Sequence, residues 1–338
     1  MTVADLSSLP VPAGQKQPRQ LQPGHQPSDR IFHGTARTIG LVVLGLTGAI
    51  GLFLGYQSIP TFREYGWSFF TQTAWQPELN KIGIAAVLVG TFEVALVAMV
   101  VTFPLALMFA LFISDYAPKW LKSWLVSAVD LMAAVPSIIY GLWGFFLLMP
   151  HATLLARWLS QYLGWIPIFK VNTDANAAVW QQSAYTSSAF IAGLAVAMMA
   201  IPLACSVMRS VFDQAPLGER EAAMALGGTR FGVARTVVLP FGRGGIIGGT
   251  MLALGRALGE TAAVLVIISP AYVIKPNILE AGVQTISALI AGNFGDATKA
   301  QLSALLTAGF VLFVITIAVN SVAAAFVRRS RSGAALEI

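Results

Sequence analysis

The stretch Glu219–Val266, EREAAMALGGTRFGVARTVVLPFGRGGIIGGTMLALGRALGETAAVLV, decides how the chain is read, because a charged loop passes there into an apolar run. Its first part carries Glu221-Ala222-Ala223, Gly227 and Val237-x-Leu239-Pro240, and its second carries Arg256 and Glu260 four residues apart. Pro216 suits a first helical turn, where its missing N–H is one that a helix leaves unpaired, and Gly227-Gly228 suits a left-handed stop. Between them the spacing predicts about three turns of helix. Ala222, Ala223 and Ala225 smooth one side of it, so a groove on another protein has room to approach the backbone, with Glu219, Arg220 and Glu221 at the rim. Thr229–Val238 predicts a second short helix that ends before Pro240, since the residue before a proline avoids helical backbone.

The composition places this loop in a membrane protein. Of 338 residues, 56% are hydrophobic and 11% charged, against about a quarter charged in a soluble domain. A crossing needs roughly 20 apolar residues. Six stretches qualify: Thr38–Ile59, Ile82–Ile113, Trp124–Met149, Ala189–Val207, Gly244–Ile268 and Leu302–Val327. They are continuous and lack the alternation of an outer-membrane barrel, so the expected class is all-α with six transmembrane helices.

A net charge of +6 invites a nucleic-acid partner, but the distribution of the charge explains it better. With the N-terminus inside, fourteen of the 21 Lys and Arg fall on the cytoplasmic side, six fall outside, and Arg256 lies within a span. That asymmetry follows the positive-inside rule, puts the Glu221 loop and both termini in the cytoplasm, and leaves membrane lipid rather than nucleic acid as the expected surroundings. Cys205 is the single cysteine, so it makes no intrachain disulfide or thiol cluster and reads as a packing residue. No metal site is expected; His25 and His33 lack Cys or acidic partners.

Three regions follow: residues 1–37 as a disordered cytoplasmic tail, 38–327 as the membrane domain with a cytoplasmic loop at about 211–240, and 328–338 as a second tail. Pro60–Asn80, with Trp67, Phe69, Phe70 and Trp75, reads as an amphipathic segment at the outer interface. Pro136 and Gly141 predict a distorted helix around Tyr140, which lipid tolerates only where protein or water satisfies the freed backbone. Asn172–Asn176, in a long external segment, is a landing surface for a binding protein or a neighbour of interfacial aromatics. Ile278–Ile290 reads as a short amphipathic helix. Three overlapping Gly-xxx-Gly pairs, ending in Gly255 and Gly259, allow close approach of another helix.

The pattern Glu-Ala-Ala-x3-Gly-x9-Ile-x-Leu-Pro is the cytoplasmic signature of ABC-importer permease subunits. The chain resembles that family at Glu221, Ala222, Ala223, Gly227, Leu239 and Pro240, with Val237 in place of Ile. It resembles more closely the PstC-type permeases of phosphate importers, through Pro136–Gly144 (PSIIYGLWG) and Leu254–Thr261 (LGRALGET), and the likeness runs from about residue 38 to 327. The resemblance implies a type I importer permease, MetI-like, in a bacterial inner membrane. Its implied partners are a homologous second permease (PstA-type), an ATPase dimer (PstB-type) that binds ATP and Mg and receives the Glu221 helix, and a periplasmic or cell-surface phosphate-binding protein (PstS-type). No Gly-x4-Gly-Lys-Ser/Thr occurs in the chain, so ATP hydrolysis, catalytic residues and a cofactor are not expected in it.

Charge within a span costs at least a few kcal/mol, so Arg256, Glu260 and Glu93 each need a partner or water. On a continuous helix Arg256 and Glu260 share a face, and two readings stay open: an ion pair that fixes packing, or a site where Arg256 binds a passing oxyanion while Glu260 or Glu93 accepts its proton. Sulfate or molybdate as solute, and an ion-coupled secondary transporter, are the rival readings; no clear internal repeat favours the latter.

Overall fold

Apolar runs of this length leave the backbone one solution in lipid, the helix, because every N–H and C=O must be paired within the segment. The computed structural model describes residues 27–171 and 183–331. Its helices are α1 (Pro27–Tyr65), α2 (Ser68–Thr71), α3 (Ala85–Leu111), α4 (Lys119–Ala134), α5 (Ser137–Trp143), α6 (Met149–Leu163), α7 (Ala189–Phe212) and α8 (Leu217–Ala225), followed by α9 (Arg230–Val233), α10 (Leu239–Phe241), α11 (Arg243–Gly259), α12 (Ala262–Ile267), α13 (Ile286–Asn293) and α14 (Lys299–Arg331). Wider π-helical turns at Phe112–Tyr116, Gly144–Leu148 and Ala234–Val238 extend or join them. A hairpin of β1 (Trp75–Gln76) and β2 (Lys81–Ile82) precedes α3.

Among the described residues, five helices are long and apolar enough to cross a membrane, or six when a pair bent by 71° at Gly242 counts as one span. The expected run Gly244–Ile268 is broken. Helix α11 has 17 residues, about 26 Å at 1.5 Å per residue, short of the roughly 30 Å hydrocarbon core, and α12 supplies the remainder after a break at Glu260 and Thr261. The expected span Trp124–Met149 is divided too. Helix α4 ends at Ala134, Val135 and Pro136 are extended, and the crossing helix is Ser137–Leu163.

Two compact units divide the chain after Ile50. In the first, the described part of α1 is exposed residue by residue. It is helical from Pro27, so residues 27–37, expected as tail, are helix, while residues 1–26 lie outside the described residues. At the other end α14 continues to Arg331, and 332–338 lie outside as well. The second unit is built around α7, where small residues at Ala192, Ala195, Ala200 and Ala204 are fully or almost fully buried. Close approach is what this composition permits: a Cβ on Gly193 would stand 2.6 Å from Val97 of α3. Cys205 is buried in this core, as a packing residue should be.

Of three further expectations, the structure qualifies one, changes one and does not reach the third. Phe69 and Trp75 pack inward, buried with Ile82, Ile84 and Leu305, while Trp67 alone of the group is 85% exposed. The helix expected at Ile278–Ile290 begins at Ile286, capped by the Thr285 hydroxyl, which accepts from the Ala288 amide. Asn172–Asn176 lies outside the described residues.

Candidate functional site

The two breaks meet. A Cβ on Gly141 in α5 would stand 2.7 Å from the Ala263 Cα in α12, so backbone packs on backbone where both spans are interrupted. Only glycine allows this approach. At the first break the Tyr140 hydroxyl donates to the Met132 carbonyl at 2.8 Å, adding a second, shorter hydrogen bond to a carbonyl that also accepts from the Val135 amide at 3.3 Å. Pro136 stands in the extended link between α4 and α5, and the Tyr140 phenol bridges back across it to α4. At the second break the backbone at Glu260 is extended, with φ −67° and ψ 125°.

That break overturns the shared-face geometry of Arg256 and Glu260. Gly259 ends α11, so the four-residue spacing no longer stacks the two side chains, and no ion pair joins them among the described residues. The Glu260 side chain, 8% exposed, turns forward instead. Its Oε1 accepts from the Ala263 amide at 3.3 Å and caps α12, where a carboxylate also suits the positive end of the helix. Arg256 sits in the last turn of α11, at the end that favours a cation. It is half-buried, and its Nε is buried without a hydrogen-bond partner.

Glu93 lies elsewhere, two turns into α3, lining a narrow polar cavity with Lys275, Asn277, Glu280 and Gln284. Lys275 is engaged there by Glu280 at 2.7 Å. No hydrogen bond or ion pair links Glu93 to Arg256 among the described residues. The glycine stripe is divided as well. Gly245 and Gly249 pack on Val211 and on Ala204 and Met208 of α7, whereas Gly259 meets nothing within 4 Å and Gly255 meets only the carboxamide of Asn320. Among the described residues Gly255 thus meets α14 through Asn320 alone, and Gly259 is open to another helix. Asn320, exposed on α14 beside the Arg256 turn, was missed by the sequence reading; the available signal was a lone amide in an apolar run.

The polar loop folds as its punctuation predicts at one end. Helix α8 starts after Pro216, and Gly227 takes φ +84° with its amide donating to the Met224 carbonyl at 2.9 Å. Glu221 and Ala222 are exposed, Ala223 is half-buried, and Leu217, Met224 and Leu226 stand in the open at 73%, 51% and 90%. Such apolar exposure on a charged helix is the composition of an interaction surface. The second helix does not stop before Pro240. It runs from Arg230 to Phe241, because the wider π turn at Ala234–Val238 makes room for the ring, and the chain bends only at Gly242. Leu239 and Pro240 thus sit inside the helical arm.

A bundle of apolar helices with two interrupted spans, a cation at one break and an exposed amphipathic helix on its polar loop defines a membrane permease worked by partner proteins. The chain belongs to the family of binding-protein-dependent transport system inner membrane components, whose model matches residues 102–332. It is 41% identical over 290 residues to the phosphate transport system permease protein PstC of Xylella fastidiosa, covering 86% of each chain. It is 38% identical over 301 residues to the phosphate transport system permease protein PstC 2 of Mycobacterium bovis, covering 88% of this chain and 91% of that one. The fold resembles a chain of the MetNI methionine ABC transporter in an inward-facing conformation, with a TM-score of 0.50 and 14% identity over 76% of this chain and 99% of that chain. The architecture is that of type I ABC importer permeases, which sets aside the ion-coupled carrier.

Proposed function

We propose that this chain is the PstC-type subunit of a phosphate ABC importer in a bacterial inner membrane, with both termini cytoplasmic. A homologous second permease completes the path, separate ATPase subunits bind ATP and Mg and receive α8 through Glu221, Ala222 and Ala223, and an external binding protein delivers phosphate. The observation that carries the reading is the half-buried Arg256 guanidinium, at the break of a span, with a buried Nε that no group among the described residues engages. A guanidinium fork in a low-dielectric site matches an oxyanion in geometry and charge.

Phosphate and sulfate differ in one respect that this site can use. At neutral pH phosphate retains a proton and donates a P–OH hydrogen bond, while sulfate has none to donate. Glu260 accepts from Ala263 through one oxygen, so its other oxygen is the acceptor for that proton, and the same carboxylate repels sulfate. Glu93 in its own cavity is a separate acidic station on the path. Closure of the ATPase pair moves the docked α8 and switches the helices between two rigid arrangements. Radiolabelled phosphate uptake in cells with and without this gene, with sulfate as competitor, tests the reading; uptake unaffected by loss of the gene, or abolished by sulfate at equal concentration, overturns it.

A further inference from the structure

Outside the membrane breaks, the densest charged cluster of the chain lies where α8 meets the ends of α3, α4 and α7, and the transport reading leaves it without a role. Arg220 is its centre. The residue stands in the docking helix, yet its side chain points back into the permease and is only 16% exposed, while its neighbours Glu219 and Glu221 face outward. Its Nη1 donates to the Asp115 carboxylate at 2.5 Å, at the turn that ends α3. Its Nη2 donates to the carbonyl of Phe212, the last residue of α7, also at 2.5 Å. One planar side chain thus grips the ends of the two helices that form the core. The cation also lies at the negative end of α7, where it is favoured.

A second tier braces the first. Asp213 accepts from Lys122 of α4 at 2.8 Å and from the Ser114 hydroxyl at 3.1 Å, and Arg209 lies 3.8 Å from it. The cluster is not fully satisfied: Asp115 Oδ2, Arg220 Nε and Arg209 Nε are all buried without partners. A static clamp in a folded protein pairs its buried polar atoms. Orphans on both sides of one contact suit a joint that takes a second set of partners in another arrangement of the helices.

We infer that Arg220 is a positioning residue for transport, the strut through which movement of α8 is passed to α3 and α7, rather than a residue that holds the ATPase. The inference rests on the ABC-importer reading. The outward face of α8 makes the docking surface, and Arg220, on the opposite side, converts displacement of that surface into displacement of the membrane helices. A strut differs from a docking contact in what its loss spares. Without the guanidinium, the ATPase still binds and still hydrolyses ATP, but hydrolysis no longer drives the permease.

The test uses the whole complex, purified with its ATPase and reconstituted into vesicles, with co-purification, ATP hydrolysis and phosphate uptake read on the same preparation. Arg220→Met keeps the apolar stem and removes both hydrogen bonds; Asp115→Asn weakens the joint from the α3 side without touching α8. Phosphate carried per ATP should fall about tenfold in the first and about threefold in the second, the range expected of coupling energies of this kind. The ATPase should co-purify and hydrolyse as in the unsubstituted complex. Arg220→Lys, which retains the charge but loses the fork, should fall between them. Loss of the ATPase from the Arg220→Met complex, with Asp115→Asn behaving normally, would make Arg220 a docking contact and overturn the inference. Unchanged phosphate per ATP in both variants would overturn it equally. Phosphate uptake by the unsubstituted complex reports separately on the transport reading.

Discussion

The Glu260 carboxylate accepts a hydrogen bond from the Ala263 amide at 3.3 Å, so the acid serves the helix that follows it and not the arginine that precedes it. Each of the two charged groups at this break therefore has its own task. Glu260 caps α12, while Arg256 is a cation without a counter-charge among the described residues. That asymmetry separates the effects expected from the two substitutions.

Arg256→Lys keeps the charge and loses the planar fork. If the guanidinium binds the oxyanion through two hydrogen bonds, loss of one charge-assisted bond costs about 1.5–3 kcal/mol, so phosphate uptake should fall at least about tenfold. Assembly with the partner subunits should persist, since no hydrogen bond among the described residues depends on the side chain. Uptake and co-purification measured together check both halves.

Glu260→Gln retains a carbonyl oxygen able to accept from Ala263, so the cap on α12 and the assembly of the complex should survive. What it loses is the charge, so sulfate should compete better with phosphate. Glu260→Ala removes the cap as well and should destabilise the permease by about 1 kcal/mol. Competition assays distinguish the first effect and thermal denaturation the second; equal destabilisation by Gln and Ala would deny the capping role.

The class of fold was legible because apolar runs of sufficient length admit little but helices, and the ends of α8 were legible because Pro216 and Gly227 restrict backbone angles locally. The breaks were less so. Pro136 announced a distortion in the third run, but nothing between Gly244 and Ile268 forbids a continuous helix. The interruption at Glu260 belongs to the packing of Ala263 on Gly141, a contact between residues over a hundred positions apart. For the same reason the four-residue spacing of Arg256 and Glu260 misled, since it assumed a helix that tertiary contacts end at Gly259. The burial of Phe69 and Trp75 was not legible, because composition alone does not separate an aromatic that faces a membrane interface from one packed in a core.

Gly227→Val should release the ATPase. At φ +84° a β-branched residue costs about 1–2 kcal/mol, and α8 would end differently, displacing Leu226 and the exposed face before it. Co-purification of the ATPase should be lost while the permease still reaches the membrane. Gly227→Asn, which tolerates this backbone better, should retain more of it.

The basic asymmetry predicts which side α4 and the hairpin face. In a Cys205→Ala background, Lys119→Cys should be shielded from a membrane-impermeant thiol reagent added outside whole cells, and Glu78→Cys, exposed after β1, should react. Both positions are exposed in the structure, so protection reports the membrane rather than the fold. The reverse labelling would invert the permease and the direction of transport with it.

The contact between the two breaks makes the sharpest comparison, because Gly141 in α5 and Gly144 in the π turn that follows it, about 0.8 of a turn apart, should behave differently. A Cβ at Gly141 would meet the Ala263 Cα at 2.7 Å and its carbonyl oxygen at 3.2 Å, both backbone atoms with nowhere to go. A Cβ at Gly144 would meet the Ile267 Cδ1 at 2.8 Å, the far end of a side chain that can turn or be shortened, and the Ala195 Cβ at 3.0 Å, but no backbone atom among its nearest neighbours. Gly141→Ala should therefore separate α5 from α12 at a cost of about 1–3 kcal/mol and abolish most uptake, and Ala263→Gly should not rescue it, since the Cα remains. Gly144→Ala should be milder, and Ile267→Val should relieve it in part, leaving the Ala195 contact. Uptake and thermal stability of the four variants, measured in parallel, decide whether the backbone contact between the broken spans is what holds Arg256 and Glu260 in place; equal rescue at both glycines would show that ordinary side-chain crowding accounts for the effect.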